Sequence, residues 1–206
     1  SRRSGPSPSS EVACLVIEGN RTMYPKSKLG RLTILSVVCL HLASGQNQAA
    51  RIQAIIDKMS VDSLVTYVRV LTGDTTVQLG DTAVRITGRS EDLGRSQAMS
   101  YIRAKLQSFG LSTEVDSFVV FPRKGANVLA IQEGIAAPSV KVMIGAHYDA
   151  AGISPGADDD ASGCAAVLET ARVLSTHKTD RTIFYAFWDL EELGLEGSRA
   201  HAERLE

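Results

Sequence analysis

Few cysteines, few aromatic side chains and almost no net charge mark this chain, and each shortage closes off a class of protein. Three cysteines stand among 206 residues. Two of them, Cys14 and Cys39, fall within the first fifty positions. Cys164 is then alone in the remainder, too few for an internal disulfide there. The 22 Lys and Arg balance 23 Asp and Glu to a formal charge of −1, which advertises no polyanionic partner. Aromatic residues make up 5% of the chain, and no basic patch carries them interleaved, so nucleic-acid binding is disfavoured. No Gly-x-x-x-x-Gly-Lys phosphate loop occurs. No apolar run reaches the ~18 residues of a membrane-spanning helix. The single Asn-x-Ser/Thr sequon is Asn20-Arg21-Thr22, and there is no internal repeat. What remains is an ordinary globular composition, 44% hydrophobic and 22% charged, long enough for one sizeable core.

The charge is unevenly placed. Residues 1–31 hold six Lys and Arg against Glu11 and Glu18, a net +4, which leaves −5 for the rest. From Met23 a short basic region leads into an apolar stretch from Leu32 to about Leu42, followed by the small residues Ala43, Ser44 and Gly45. That order is signal-peptide anatomy, with Gln46 or Gln48 as the expected mature N-terminus. The expected organisation is an N-terminal tail at 1–22, a signal peptide at 23–45, a helical segment at 46–85 and a catalytic domain at 86–206. The tail reads either as translated upstream sequence or as a cytosolic extension. The expected location is secreted or the lumen of the secretory pathway, with no stable membrane insertion after cleavage.

Residues 49–72 carry apolar side chains at helical spacing and fit two short helices, with Ser60 as N-cap of the second. Residues 90–110 repeat the pattern, with Ala98, Ile102, Leu106 and Phe109 on one face and Gly110 placed to stop the helix. Beyond Leu111, β-formers gather in TEVDSFVVF, NVLAI, VKVMIGA and TIFYAFW, with a helical stretch of about 162–176 between the last two. The alternation reads as α/β. VMIGA and IFYAF are nearly continuous apolar runs, as for strands covered on both faces, and the intervening helix is the right length for a parallel crossover.

Three chemistry-bearing elements follow the strands, where open α/β sheets place their ligand crevices. VMIGA runs into His147-Tyr148-Asp149. The segment Pro155 to Gly163 sets Asp158, Asp159 and Asp160 at the mouth of a helix. IFYAFW runs into Asp189-Leu190-Glu191-Glu192. Singly, each has an ordinary structural explanation: a surface histidine, an acidic N-cap, a solvated Glu-Glu pair. Together, one imidazole and carboxylates from two other loops suit Zn²⁺, with Mn²⁺ or Co²⁺ as substitutes, since carboxylates so close repel unless a cation sits between them.

In this order, the elements resemble the di-zinc aminopeptidases of peptidase clan MH, which include the bacterial leucyl aminopeptidases and plasma glutamate carboxypeptidase. The resemblance runs from about Ile86 to Leu205, through ITGRS, YIRAKLQSFGL, NVLAI, His147-x-Asp149, PGADDDASG and FWDLEELGLEGS. It implies a three-layer sandwich with a mixed, mostly parallel central sheet covered by helices. It also implies two zinc ions per complete domain and a peptide substrate. Asp159 would bridge the metals, while His147 and Glu192 would each bind one of them. Asp149 would orient the imidazole and Glu191 would act as general base. Asp158 and Asp160 would shape the loop. Cys164, Tyr148 and Trp188 read as packing residues.

The family adds a further Asp and a further His from later strands, and neither follows in this chain. Each metal is thus matched by two of three protein ligands, so the chain is expected to be an N-terminal fragment, truncated at the C-terminus and inactive by itself. The absent strands are expected to leave the strand before Trp188 short of neighbours. Two other readings of the same fold are a non-catalytic receptor-like or scaffold relative and a glutaminyl cyclase-like enzyme.

Overall fold

Residues 48–205 are described in a computed structural model. The tail, the expected signal peptide, the sequon, Cys14 and Cys39 lie outside them. Helix α1 covers residues 48–56, and α2, Val61–Leu71, follows at once. The junction is set by Ser60, whose hydroxyl accepts from the Ser63 N–H at 3.2 Å, the cap expected of it. Helix α2 buries Tyr67, Val70 and Leu71.

A short hairpin, β1 (Val77–Leu79) with β2 (Thr82–Val84), precedes α3, Asp92–Ser108. The sequence reading had no strands there, because three-residue strands are too short to show a period. Helix α3 buries Ala98, Ile102 and Leu106, and Gly110 ends the segment with a φ of +81° that a side chain would resist. Strand β3, Ser112–Val120, turns straight back into β4, Arg123–Gln132. Strand β5, Ala137–His147, leads through the acidic turn Ala157–Ser162 into α4, Gly163–Leu174. Strand β6, Arg181–Trp188, then feeds a single 3-10 turn, Glu191–Leu193, and α5, Glu196–Ala202.

The sheet order is β3-β4-β6-β5. It is mixed, as expected, but the balance differs from expectation: β3-β4 and β4-β6 are antiparallel, and only β5-β6 is parallel. The reason lies in the connections. Between Val120 and Arg123 there is room only for a tight turn, which reverses the chain, whereas α4 supplies the crossover that parallel pairing needs.

Alternation along the strands sorts the two faces. Val128, Ala130, Ile183, Tyr185, Phe187 and Ala146 join α3 and α4 in one buried core, with Leu168 and Ala165 at its centre. The opposite face carries α5, whose His201 ring lies 5.3 Å from Trp188. Strand β6 therefore sits inside the sheet. The expectation that the strand before Trp188 would be short of neighbours is corrected: β5 is the edge of the described sheet. Its apolar run is not covered on both faces either, since Val142 is 41% and Met143 44% exposed. Among the described residues, no helix is long and apolar enough to cross a membrane.

Candidate metal centre

The parallel register sets His147 beside Trp188, so β5 and β6 end together and release their loops at one edge of the sheet. His147 is buried at the end of β5. Its Nδ1 lies 3.3 Å from Asp149 Oδ1, and its Nε2 lies 2.8 Å from Asp159 Oδ1 and 3.7 Å from Glu191 Oε2. One ligand atom each from His147, Asp159 and Glu192 lies within 4.8 Å of the other two, a spacing one ion can bridge. The structure thus brings together His147, Asp149, Asp159, Glu191 and Glu192, all five residues singled out from the sequence.

The three loops are held by backbone hydrogen bonds. Asp149, 2% exposed, accepts from the N–H groups of Glu191 at 3.1 Å and Glu192 at 3.2 Å. One carboxylate therefore fixes the imidazole on one side and both glutamates on the other. Leu190, with φ of +55°, makes the sharp turn that delivers Glu191, a conformation costing a non-glycine residue about 1–2 kcal/mol. Its burial at 1% exposure helps hold it there.

Asp160 spends its carboxylate on backbone donors. It accepts from Gly163 N–H at 2.9 Å and from His147 N–H at 3.2 Å, which pins the acidic turn to the end of β5. A Cβ at Gly163 would collide with the Asp160 carboxylate, so a side chain there is excluded. Tyr148, 1% exposed, donates to Ala126 O at 2.6 Å, and Cys164 donates to His147 O at 3.1 Å. Both are buried packing residues, and burial pushes the Cys164 thiol far above its usual range, which leaves it a poor nucleophile.

The charge distribution fits a cation. Burial works to lower the His147 pKa, but hydrogen bonds to Asp149 and Asp159 and the charges of Asp149 and Glu191 outweigh it and lift it to about 9. Burial raises the Glu192 carboxyl, and the nearby Asp159 adds to the rise. The cluster thus draws positive charge. The N/O/O donor set, with an outer carboxylate on the second imidazole nitrogen, is chemistry suited to Zn²⁺.

Comparison with known proteins agrees with that chemistry. Residues 127–206 match the profile of Peptidase family M28, which takes in every one of the five residues. The chain belongs to peptidase family M28. It is 29% identical over 193 residues to aminopeptidase YwaD of Bacillus subtilis, covering 93% of this chain and 35% of that protein. The LapA aminopeptidase of Legionella pneumophila superposes with a TM-score of 0.60 at 21% identity, over 76% of this chain and 42% of that one. A glutaminyl cyclase of Macrostomum lignano shares the fold at a TM-score of 0.51 and 20% identity, over 66% and 40% of the two chains. The M28 chain spans between 26% and 35% of the length of several curated relatives it matches.

Two features of the M28 site escaped the sequence reading. Arg95 Nε lies 3.0 Å from Asp189 Oδ1, with both side chains 4% exposed, and Asp189 Oδ2 accepts from Ala126 N–H at 3.0 Å. This pair anchors the end of β6 just before Leu190. Arg89, 2% exposed, donates to three carbonyl oxygens of the ligand-bearing loops. A lone arginine in sequence carries no signal that separates it from a solvated surface residue. Beside the centre opens a cleft of about 600 Å³, lined by Asp149, Glu192, Leu190, Leu193, Arg123 and Ile153.

Proposed function

We propose that this chain forms the N-terminal part of the catalytic domain of a zinc-dependent exopeptidase, an aminopeptidase that removes N-terminal residues from peptides. The observation that carries the reading is the convergence of His147, Asp159 and Glu192 with the Glu191 carboxylate alongside, 3.7 Å from His147 Nε2. His147, Asp159 and Glu192 are the residues that would hold zinc, and Asp159 would be the shared ligand in a site of two ions. Bound zinc supplies Lewis-acid polarisation of a carbonyl and makes a water ionisable near pH 7 rather than at ~15.7.

The rest is done by the chain. Asp149 keeps the imidazole oriented and, through the Glu191 and Glu192 N–H groups, keeps the two glutamates apart in role. Glu191 Oε2 accepts the proton of the attacking water and returns it to the departing amine nitrogen, so that the amine leaves neutral. The cleft beside Glu192 is where the substrate would lie. Residues 23–45 are proposed as an export signal, which places the enzyme in the secretory pathway or outside the cell. Mass spectrometry of the exported product tests this by reading a mature N-terminus at Gln46 or Gln48.

The experiment has two arms. Zinc titration of the purified chain against a chromophoric chelator reads the ligand set, and His147→Ala, Asp159→Ala and Glu192→Ala should each weaken binding. Turnover is read in the protein encoded by the complete transcript, on aminoacyl and N-blocked substrates. Glu191→Gln should keep zinc and lose about 10²–10⁴-fold in kcat. Full activity in that variant refutes the base assignment. Cyclisation of N-terminal glutamine without peptide cleavage would replace the aminopeptidase reading, and a folded complete protein with neither zinc nor turnover would make this a binding relative.

A further inference from the structure

Arg89 lies on the segment that leads into α3, outside the residues matched to the family profile. Arg89 is 2% exposed, so its partners within the protein decide its role. Nη1 donates to Tyr148 O at 2.7 Å, and Nη2 donates to Pro155 O at 3.0 Å and Gly156 O at 2.7 Å. Tyr148 is the residue between His147 and Asp149. Gly156 O also accepts from Ala161 N–H at 3.0 Å, the bond that closes the turn carrying Asp159. One planar fork therefore grips both ends of the connection from β5 to the acidic turn, one nitrogen for each.

We propose that Arg89 is a positioning residue for the metal centre: it sets the separation between His147 and Asp159 by clamping the backbones that carry them. The inference rests on the metal-site reading above and assigns the residue that gives that site its spacing. Its physical basis is that His147 is fixed at the end of β5, paired with Trp188, whereas Asp159 is carried on the irregular connection between β5 and α4. The Asp159 backbone, at φ −109° and ψ +96°, is not helical although it lies within the acidic turn. Asp160 ties the turn to the His147 N–H at 3.2 Å, and Arg89 adds the tie on the Gly156 side that holds an imidazole nitrogen 2.8 Å from a carboxylate oxygen. A buried, five-donor fork with fixed internal angles can do so, and a flexible ammonium cannot replace it. Outer groups that orient metal ligands are worth about 10–100-fold in metal affinity.

Arg89→Lys and Arg89→Gln test this in the protein encoded by the complete transcript. Lysine keeps the positive charge and loses the fork. Glutamine loses the charge, a change that by Coulomb's law alone favours a nearby cation, so weaker binding in that variant reports geometry rather than charge. Zinc dissociation constants are measured by chelator competition, and the visible spectrum of the Co²⁺-substituted protein is recorded. Ile102→Ala serves as a control, since it removes buried α3 core volume and takes no part in the hydrogen bonds to Tyr148, Pro155 and Gly156. Both Arg89 variants should bind zinc at least about tenfold more weakly with an altered Co²⁺ spectrum, while Ile102→Ala stays within about twofold at a comparable loss of Tm. Either folded Arg89 variant that binds within twofold of the parent, with an unchanged spectrum, overturns the proposal. Should the lysine variant fail to fold, the glutamine variant decides on the same criterion. Failure of the unsubstituted complete protein to bind zinc or Co²⁺ removes the metal-site reading itself, an outcome distinct from parental binding that ignores Arg89.

Discussion

Replacing Asp149 with Asn removes one oxygen from the group that organises the site. Oδ1 of Asp149 serves His147 Nδ1 at 3.3 Å and Glu191 N–H at 3.1 Å, and Oδ2 serves Glu192 N–H at 3.2 Å. An amide keeps a single acceptor. In its better orientation it retains the first two donors and turns an NH₂ toward the Glu192 N–H, leaving a part-buried backbone donor without its acceptor. A hydrogen bond to a charged acceptor contributes about 1.5–3 kcal/mol, and distances above 3 Å put this one toward the lower end, about 1.5–2 kcal/mol. At 1.4 kcal/mol per decade, this corresponds to about 10–30-fold in zinc affinity. The metal-free chain should suffer less, because Asp149 is one of the charges that disfavour ionised Glu192, and the Asn variant relieves that repulsion. The assay is chelator competition at fixed pH, paired with thermal melts with and without zinc. A variant that binds zinc within threefold of the parent would refute the argument that Asp149 holds the ligands in place.

Two further expectations concern the fold beneath the site. Burial acts to raise the pKa of Glu169, but hydrogen bonds from Arg172 and from the Ser60 N–H at 2.6 Å outweigh it and hold it below its ordinary 4.5. Its folded-state pKa is depressed, so its contribution is present above pH 4.5 and fades as pH falls through the folded value. The Tm deficit of Glu169→Gln should be largest near pH 7 and shrink on acidification below 4.5, and a deficit that widens there contradicts the assignment. Leu168, 0% exposed at the centre of the core, should cost about 2–5 kcal/mol on replacement by Ala, read as a lower midpoint in urea with an unchanged slope. A loss under 1 kcal/mol would mean that α4 is not packed as described.

Much of the local structure follows from short-range chemistry that sequence alone determines. Ser60 caps α2 because its hydroxyl can accept from the N–H three residues on, and Gly110 ends the α3 segment because glycine enters a positive φ freely. The order of strands and helices, and the delivery of His147, Asp159 and Glu192 to one edge, follow from apolar runs that end at polar loops. Their reading as a candidate metal cluster rests on the joint pattern and its resemblance to the family, since a single His or an acidic triplet carries little signal. The tertiary structure decided what local chemistry leaves open. Whether an apolar strand is central or at an edge depends on its partners, so the continuous run of β5 gave no warning of the exposure of Val142 and Met143. The antiparallel share of the sheet depended on pairing across more than fifty residues between β4 and β6. Arg89 and Arg95 look like any solvated arginine until distant carbonyls and Asp189 close around them. A side chain's chemistry is local, but its partners and its access to water are fixed only when the whole chain has folded.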